Sequence, residues 1–417
     1  LVSPDQSTVG GDSLVVFVPN GQQYFYYNLQ ALEGVADTGV AQVQLTVSAP
    51  GFTTATPTVT VRRPAFELYG IPTTTTTLSP DAAFYAHIGY AAPGYTYLTE
   101  SQPIRAGGQP RTVTVTTGTP GVGRLITTAK IGDTVTVQIP VGSYYSPTSV
   151  AAGGVAFDPL TAGTTTIDGA IPGFDQLTYY NRTVAVSAPG ITMYESTVGS
   201  WLQKSVYGYL GASNHGGVNV VIKSSAPAVA RVTPNDSTPG TDSVIVFVPD
   251  GQQYFYYFVQ GVEGQTGTVT TTARANGFTD GTAALNVVTP AVHIANLSGS
   301  YSLSQAPDSI QFYTQVGIPY ANDQYLYEVQ AVRAGGTALT VTLTSSQPAV
   351  GNLVTPTQSG ASVTVQIPIR LYYSPTTVAT GGAALRKLAQ GTTVVTSAIP
   401  GFITTILEGN RSITITP

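Results

Sequence analysis

The sequence predicts an all-β fold of tandem antiparallel β-sandwiches, and three observations support this prediction. Apolar and polar residues alternate over segments such as 112–116, 134–138 and 339–343, which is the period of a strand with one buried face. Valine and threonine dominate these segments, and their β-branched side chains favour strands over helices. The 45 glycines and 29 prolines interrupt the chain at strand-length intervals, so we expect no helix longer than a turn or two.

The chain also repeats itself with a long period. Residues 13–27 read SLVVFVPNGQQYFYY and residues 243–257 read SVIVFVPDGQQYFYY, so twelve of fifteen positions are identical at an offset of 230. VTVQIPVGSYYSP from Val135 returns as VTVQIPIRLYYSP from Val363, and YLTESQPIRAGG from Tyr97 returns as YLYEVQAVRAGG from Tyr325, both at an offset of 228. Such internal repeats indicate supersecondary units arranged in tandem.

A shorter period lies inside the long one. Gly-Phe pairs occur at 51–52, 173–174, 277–278 and 401–402, and each precedes a strand-like segment that ends in proline. These endings predict boundaries near Pro64, Pro189 and Pro290. The predicted modules are the second half of a module at 1–64, a larger module at 65–189, a smaller module at 190–290 and a second larger module at 291–417.

The first segment aligns with only part of the smaller module, because its opening matches the chain from Arg231 onward. Half of a sandwich exposes its core and its strand edges, so residues 1–64 should need partner strands. Two sources are open. We favour a longer repetitive chain that continues upstream, and the alternative is strand donation by another chain.

Three features resemble the bacterial immunoglobulin-like (Big-type) tandem repeats of cell-surface and extracellular fibre proteins. These are the turn segment SSAPAVARVTP from Ser224, the strand DSVIVFVP from Asp242, and TGTVTTTARANGFTDGTAALNV from Thr266 with its Gly-Phe turn. The resemblance implies tandem immunoglobulin-like antiparallel β-sandwiches over nearly the whole chain, at the cell surface or outside the cell. One sandwich fold serves many functions, so the resemblance implies less about activity.

Composition narrows the function further. Only 9% of the residues are charged and the net charge is −5, so the chain lacks the basic footprint of a nucleic-acid-binding protein. No apolar run approaches the ~18 residues of a membrane helix. The absence of cysteine excludes disulfides and thiol nucleophiles. Weak charge repulsion between copies suits a chain that self-associates, either with copies of itself or with the rest of a longer chain.

Catalytic and cofactor motifs are absent from the sequence, so we expect no enzyme, no catalytic residue and no cofactor. His87, His215 and His293 are far apart, and Gln315 replaces His87 in the internal copy. Neither a nucleophile elbow, a phosphate-binding loop nor a zinc-protease motif occurs. The three histidines are therefore interpreted as ordinary strand or surface residues.

Two sets of polar residues recur across the repeat. Glu100 and Arg105 return as Glu328 and Arg333, which predicts a salt bridge or turn contact within the larger module, with a binding role as the alternative. The weak candidate calcium ligands flank a loop, and turn formation is the favoured interpretation of these residues. They are Asp5, Asp12, Asp236 and Asp242.

The aromatic segment, YFYY at residues 24–27 and YFYYF at residues 254–258, is the most distinctive feature of the sequence. Tyrosine and phenylalanine alternate there on both faces of an expected strand, so one face should enter the core while the other needs a cover. Packing within the module is one solution, and contact between modules or chains is the other. The predicted interface residues are Tyr24, Tyr26, Tyr144, Tyr145, Tyr254, Tyr256, Tyr372 and Tyr373.

Taken together, these observations predict a structural component of an extracellular assembly: a filament, sheath, S-layer or stalk. Two alternatives stay open. One is a ligand-binding adhesin rod, and the other is an accessory region of a secreted enzyme whose catalytic domain lies elsewhere.

Overall fold

The structure is a computed structural model that describes residues 1–34, 40–180 and 182–417. Within this part of the chain the regular elements are β-strands and two single-turn 3-10 helices, η1 Val150–Ala152 and η2 Val378–Thr380. The expectation of no longer helix is confirmed for these residues, and none of their helices could span a membrane. The chain divides into two units, Leu1–Ala188 and Pro189–Pro417.

The first segment holds four short strands: β1 Val2–Ser3, β2 Asn28–Leu29, β3 Val40–Gln44 and β4 Thr58–Arg62. β1 pairs with β2 and β3 pairs with β4, both antiparallel. Residues 22–27 lie outside any strand, so the expected aromatic strand is wrong for this copy. The physical reason is that a strand requires a hydrogen-bonded neighbour, and the described residues supply none here.

The 65–189 module has two facing sheets. Their strands are β5 Ala65–Tyr69, β6 Thr74–Thr76, β7 Ala82–Tyr90, β8 Glu100–Ser101, β9 Arg111–Thr117, β10 Gly123–Ile126, β11 Ile131–Gly132, β12 Thr134–Ile139, β13 Val155–Pro159, β14 Gly163–Ala170, β15 Asp175–Gln176 and β16 Thr183–Ser187. One sheet has the order β11-β10-β13-β7-β5-β15, with β8 also on β7, and the other has the order β12-β9-β14-β16-β6.

The core of this module lies between the two sheets. Val113 and Val115 of β9 pair with Val137 and Val135 of β12, and all four side chains are buried while the threonines between them face outward. Both sheets contribute to one apolar cluster, to which Phe66, Phe84 and Phe157 contribute the largest side chains. The strand predictions at 112–116 and 134–138 are confirmed.

The 190–290 module is smaller. Its strands are β17 Ile191–Met193, β18 Ser196–Gly199, β19 Leu202–Leu210, β20 Val218–Ser224, β21 Ala230–Thr233, β22 Ser243–Val248, β23 Tyr254–Gly261, β24 Gly267–Arg274 and β25 Gly281–Val288. The two sheets have the orders β17-β19-β23-β21 and β18-β25-β24-β20-β22. In β23 the aromatic strand is as predicted, since Phe255 and Tyr257 are buried while Tyr254 and Tyr256 are exposed.

The 291–417 module repeats the plan of the 65–189 module. Its strands are β26 Ala291–Ala295, β27 Ser300–Ser302, β28 Ser309–Pro319, β29 Leu326–Val329, β30 Ala331–Val332, β31 Leu339–Ser345, β32 Gly351–Val354, β33 Ser359–Gly360, β34 Ser362–Ile367, β35 Ala383–Lys387, β36 Gly391–Ala398, β37 Ile403–Thr404 and β38 Asn410–Thr416. The sheets have the orders β33-β32-β35-β28-β26-β37, with β29 on β28, and β27-β38-β36-β31-β34.

Pairing in these sheets is mainly antiparallel, and an early strand of each module pairs in parallel with the last one. These pairs are β6 with β16, β18 with β25, and β27 with β38. β5 with β15 and β26 with β37 are also parallel. Two mainly antiparallel sheets packed face to face are the immunoglobulin-like architecture. The protein is therefore an all-β chain of tandem immunoglobulin-like sandwiches.

Candidate functional site

The candidate site is a junction built around the motif Arg-Ala-Gly-Gly, residues 333–336. The motif follows β30, a two-residue strand that leaves its own module and pairs antiparallel with β19, Leu202 opposite Val332 and Gln203 opposite Ala331. A strand of the 291–417 module thus extends a sheet of the 190–290 module. Backbone pairing fixes the register of the two modules at this point.

The centre of the junction is a bidentate ion pair. Arg333 donates from Nε to Oε1 of Glu263 at 2.8 Å and from Nη2 to Oε2 at 2.6 Å. The Arg333 side chain is only 8% exposed, and that of Glu263 is 31% exposed. A planar guanidinium that meets both carboxylate oxygens gives a strong and directional contact, which lysine could not reproduce.

Backbone and side-chain amide groups form further hydrogen bonds between the two modules beside the ion pair. The backbone N–H of Arg333 donates to Trp201 O and that of Ala334 donates to Gln203 Oε1, both at 2.9 Å. The buried side chain of Gln330 accepts from Gly199 N at 2.8 Å and donates to Thr197 O at 2.9 Å. Buried polar groups at this interface therefore have partners, as a stable contact requires.

Two further ion pairs flank the junction. Lys204 Nζ lies 2.7 Å from Glu328 Oε2, and Arg370 Nη2 lies 3.1 Å from Asp236 Oδ2. A cleft of about 330 Å³ opens between them. Because these four side chains are at least a quarter exposed, each pair should contribute at most about 1 kcal/mol.

The same motif recurs in the first unit as Arg105 to Gly108. Arg105 Nη2 lies 2.6 Å from Oε2 of Glu33, whose other oxygen is 3.0 Å from Arg111 Nη2. The hydrogen bond from Arg105 holds the pKa of Glu33 below its usual value, against the opposing effect of partial burial. Glu33 occupies the position of Glu263 at the offset of 230, so the two units share one kind of junction.

The glycine turn repeats in the same detail. Gly107 has φ +73° and faces the Val9 side chain, while Gly335 has φ +75° and faces Pro239. Positive φ and this close approach both require a residue without Cβ. The expectation of a salt bridge within the larger module is thus wrong, because the ion-pair partners of Arg105, Arg333 and Glu328 lie outside residues 65–189 and 291–417. The turn contact that was expected as well is present, since the N–H groups of Gly108 and Gly336 donate to the carbonyl oxygens of the two arginines.

Sequence reasoning missed Glu33 and Glu263. A signal was available, because both carboxylates return at the offset of 230 just as Arg105 and Arg333 return at 228. A glutamate and an arginine that both recur across the repeat are candidates for an ion pair with each other. The long spacing along the chain hid it, since Arg333 is 70 residues from Glu263.

Seven of the eight predicted interface tyrosines are exposed, and Tyr373 is half-buried. Tyr254 and Tyr256 project from the outer face of β23 and contact Tyr207 of β19, with ring centroids about 6 Å apart. Tyr144 and Tyr145 stack edge to face, as do Tyr372 and Tyr373. These two pairs lie between strands rather than in an aromatic strand like β23.

The buried face of β23 contrasts with these exposed rings. Burial raises the pKa of Tyr257 to about 12, against the weaker effect of a hydrogen bond with Thr271. The neutral phenol is therefore the form that the core holds. The two faces of one strand thus separate a packing role from an exposed aromatic surface.

Two of the four candidate calcium ligands, Asp5 and Asp236, take part in a local turn and in an ion pair. Asp5 Oδ1 accepts hydrogen bonds from the backbone N–H groups of Ser7 and Thr8, both at 2.8 Å, and Asp236 pairs with Arg370. In the internal copy Asn235 holds the turn position of Asp5. No group of three or more Asp, Glu, His or Cys side chains within the described ranges could hold a metal ion. Calcium binding at these four residues stays a prediction.

The sequence did not predict one series of polar contacts in the 65–189 module. His87 Nε2 lies 2.9 Å from Ser101 Oγ, and His87 Nδ1 lies 3.4 Å from Oε1 of the buried Glu67. The order serine–histidine–carboxylate is that of a hydrolase triad. The second distance exceeds a hydrogen bond, and Gln315 and Val329 replace the histidine and serine in the other large module.

Comparison with known proteins gives no family for this chain. No protein-family model matches it, and no curated protein matches it. Among solved structures it is similar to domains 4 and 5 of the S-layer protein SbsC, with 16% identity, a TM-score of 0.18 and coverage of 42% of this chain and 76% of that one.

Two further solved structures show likeness of the same order. The adhesin InvE of Yersinia pseudotuberculosis is 10% identical with a TM-score of 0.19, and the match covers 54% of this chain and 58% of InvE. The I9–I11 tandem of titin is 8% identical with a TM-score of 0.21, covering 84% of this chain and 98% of the tandem. The fold class therefore rests on the strand order and pairing described above.

Proposed function

We propose that this protein is a structural component of an extracellular assembly, such as a filament, sheath, S-layer or stalk. The observation that carries the proposal is the junction, which occurs with the same arginine, glutamate and glycine turn in both units. A link through an arginine–glutamate ion pair, which is bidentate in the second unit and joined there by a shared sheet, resists bending better than a flexible linker does. Repeated firm links are what an extended, load-transmitting chain needs.

The direct test is electron microscopy of native material, combined with gold-labelled antibodies against the chain. We expect label on regular assemblies at the cell surface. Label confined to the cell interior, or only dispersed molecules outside the cell, would contradict the proposal.

Exposed tyrosines give the first testable prediction. The double substitution Tyr254→Ser with Tyr256→Ser should weaken assembly without unfolding the module, because both rings project from the surface while Phe255 and Tyr257 keep the core. Exposed aromatic groups in a patch are typical of contact surfaces. Light scattering would report assembly, and circular dichroism would report folding.

The matched control is Ile245→Ser with Phe247→Ser. These residues are as exposed as Tyr256, but they lie on β22 in the other sheet of the same module. We expect the control to assemble normally. If the tyrosine variant assembled as well as the native chain, Tyr254 and Tyr256 would not belong to the assembly contact.

A ligand-binding adhesin rod is the second candidate function. It is favoured by a row of surface tyrosines on the 65–189 module, where Tyr95, Tyr97, Tyr179, Tyr180 and Tyr69 contact one another in series. Aromatic rings suit both glycans and protein partners. Saturable binding of a glycan or a host protein by dispersed molecules would favour this function over the first.

The proposal includes the absence of enzymatic activity, and Ser101 provides the test. Because the His87–Glu67 distance is too long to orient the imidazole, we expect hydrolysis of p-nitrophenyl acetate at the same rate by the native chain and by Ser101→Ala. A native rate more than about tenfold above that of the variant would show that the serine is a nucleophile.

A further inference from the structure

The first segment exposes side chains that its internal copy buries. Phe25 is 42% exposed whereas the equivalent Phe255 is 2% exposed, and Val18 is 40% exposed whereas Val248 is 1% exposed. Residues 13–19 and 22–27 belong to no strand, although their counterparts form β22 and β23.

The complete copy shows which strands provide the missing cover. β22 pairs along its whole length with β20, and β23 pairs with β19 from Tyr254 to Gln260. β19 and β20 both lie in residues 190–230, the part of the smaller module that has no counterpart in the first segment. They contribute buried Leu210, Val220 and Ile222 to the core.

One supporting contact of the complete copy is already in place in the first segment, around Gln30. The Gln30 side chain accepts from Gly10 N at 2.9 Å and donates to Thr8 O at 2.9 Å. Gln260 does the same to Gly240 N at 2.9 Å and to Thr238 O at 3.2 Å. Because these contacts match, the loop at residues 8–10, which precedes the unpaired residues, has the same side-chain support as in the complete copy.

Within the described part of the chain, two polar side chains at the junction of the first unit lack hydrogen bonds that their equivalents make in the second unit. Arg105 Nε is buried and has no hydrogen-bond partner among the described residues, whereas Arg333 Nε donates to Glu263. Gln102 is exposed, whereas its equivalent Gln330 is buried and hydrogen-bonded to residues 197 and 199. A buried polar atom without a partner is costly, and partners for the glutamine come from the same 190–230 region.

We infer that residues 1–34 form an acceptor for a strand segment with the residue pattern of 190–230, which docks as β17 to β20 do in the smaller module. The donated strands would pair with residues 14–18 and 24–27, bury Val18 and Phe25, and bring hydrogen-bond partners to Gln102. The inference goes beyond the proposed function, because it names the occupant of one surface and would stand if no assembly formed.

The test is a variant of the full chain with an added copy of residues 190–230 directly before Leu1. Because Leu1 aligns with Arg231, this order reproduces the connection in the intact module. Hydrogen exchange measured by mass spectrometry should slow by about 100-fold or more at residues 14–18 and 24–27, since these amides would change from unpaired to strand-bonded. Peptides from β36 report whether the remaining chain stays folded.

The matched control carries Val220→Asp and Ile222→Asp in the added copy only. Both positions are fully buried in the intact module, so the control extension should give no protection. Three results would overturn the inference: no slowing with the native extension, equal slowing with the control, or protection in the unextended chain together with a dimeric mass, which would show that a second copy covers the surface.

Discussion

Replacing Arg333 with alanine is expected to lower the free energy of unfolding of residues 189–417 by about 2–3 kcal/mol. The substitution leaves the carboxylate of Glu263 without its bidentate donor in a partly buried position. It also removes the aliphatic stem that packs in the junction. Hydrogen exchange should quicken first at β30 and at the start of β19, because their short pairing depends on the ion pair nearby.

Urea unfolding of the full chain measures this effect, and Arg386→Ala is the control. Arg386 is an exposed arginine on β35 of the same module, so its loss should change stability by less than about 0.5 kcal/mol. Glu263→Ala should destabilise by a similar amount to Arg333→Ala, and the double variant should cost far less than the sum. Additive effects of the two substitutions would show that the pair does not couple the modules.

Much of this fold could be predicted from local sequence. Segments such as 112–116 and 134–138 alternate valine with threonine, and the side chain that faces the core is decided by the period of the strand alone. The aromatic strand at β23 followed from the same rule. These predictions succeeded because each depends on residues close together in the chain.

The same rule failed at residues 24–27, whose sequence is identical to that of residues 254–257. Identical residues form a strand in one place and none in the other, so the difference comes from the available partner rather than from propensity. β-Strands are stabilised by neighbours that the local sequence does not contain. A prediction of strand content therefore has to include a prediction of the pairing.

The junction was predictable in part. The Arg-Ala-Gly-Gly repeat identified Arg105 and Arg333 as unusual in a chain with few charges, but it suggested a partner within the same module. The geometry of the partner depends on how two modules meet, which no periodicity in either module encodes. Retained acids at a matching offset, Glu33 and Glu263, were the remaining signal.

A glycine in β28, Gly317, should be as important for the stability of residues 189–417 as the ion pair at the junction. Gly317 lies in β28 opposite Val329 of β29, and a Cβ at this position would overlap the carbonyl oxygen of Glu328. Because the obstacle is backbone, Gly317→Ala should force β29 away from β28 and cost about 3 kcal/mol. Displacement of β29 would carry Glu328 away from Lys204 and draw β30 from β19.

Gly299→Ala is the control for Gly317→Ala, since a Cβ there would come no closer than 3.7 Å to any neighbour and the residue lies in the same module. We expect it to change stability by less than about 0.5 kcal/mol. Urea unfolding gives the stabilities, and hydrogen exchange at β30 shows whether the junction opens. Loss of stability with unchanged exchange at β30 would mean that Gly317 supports only its own sheet. Faster exchange there would show that one close backbone contact inside a module sets the position of the strand that links it to the next.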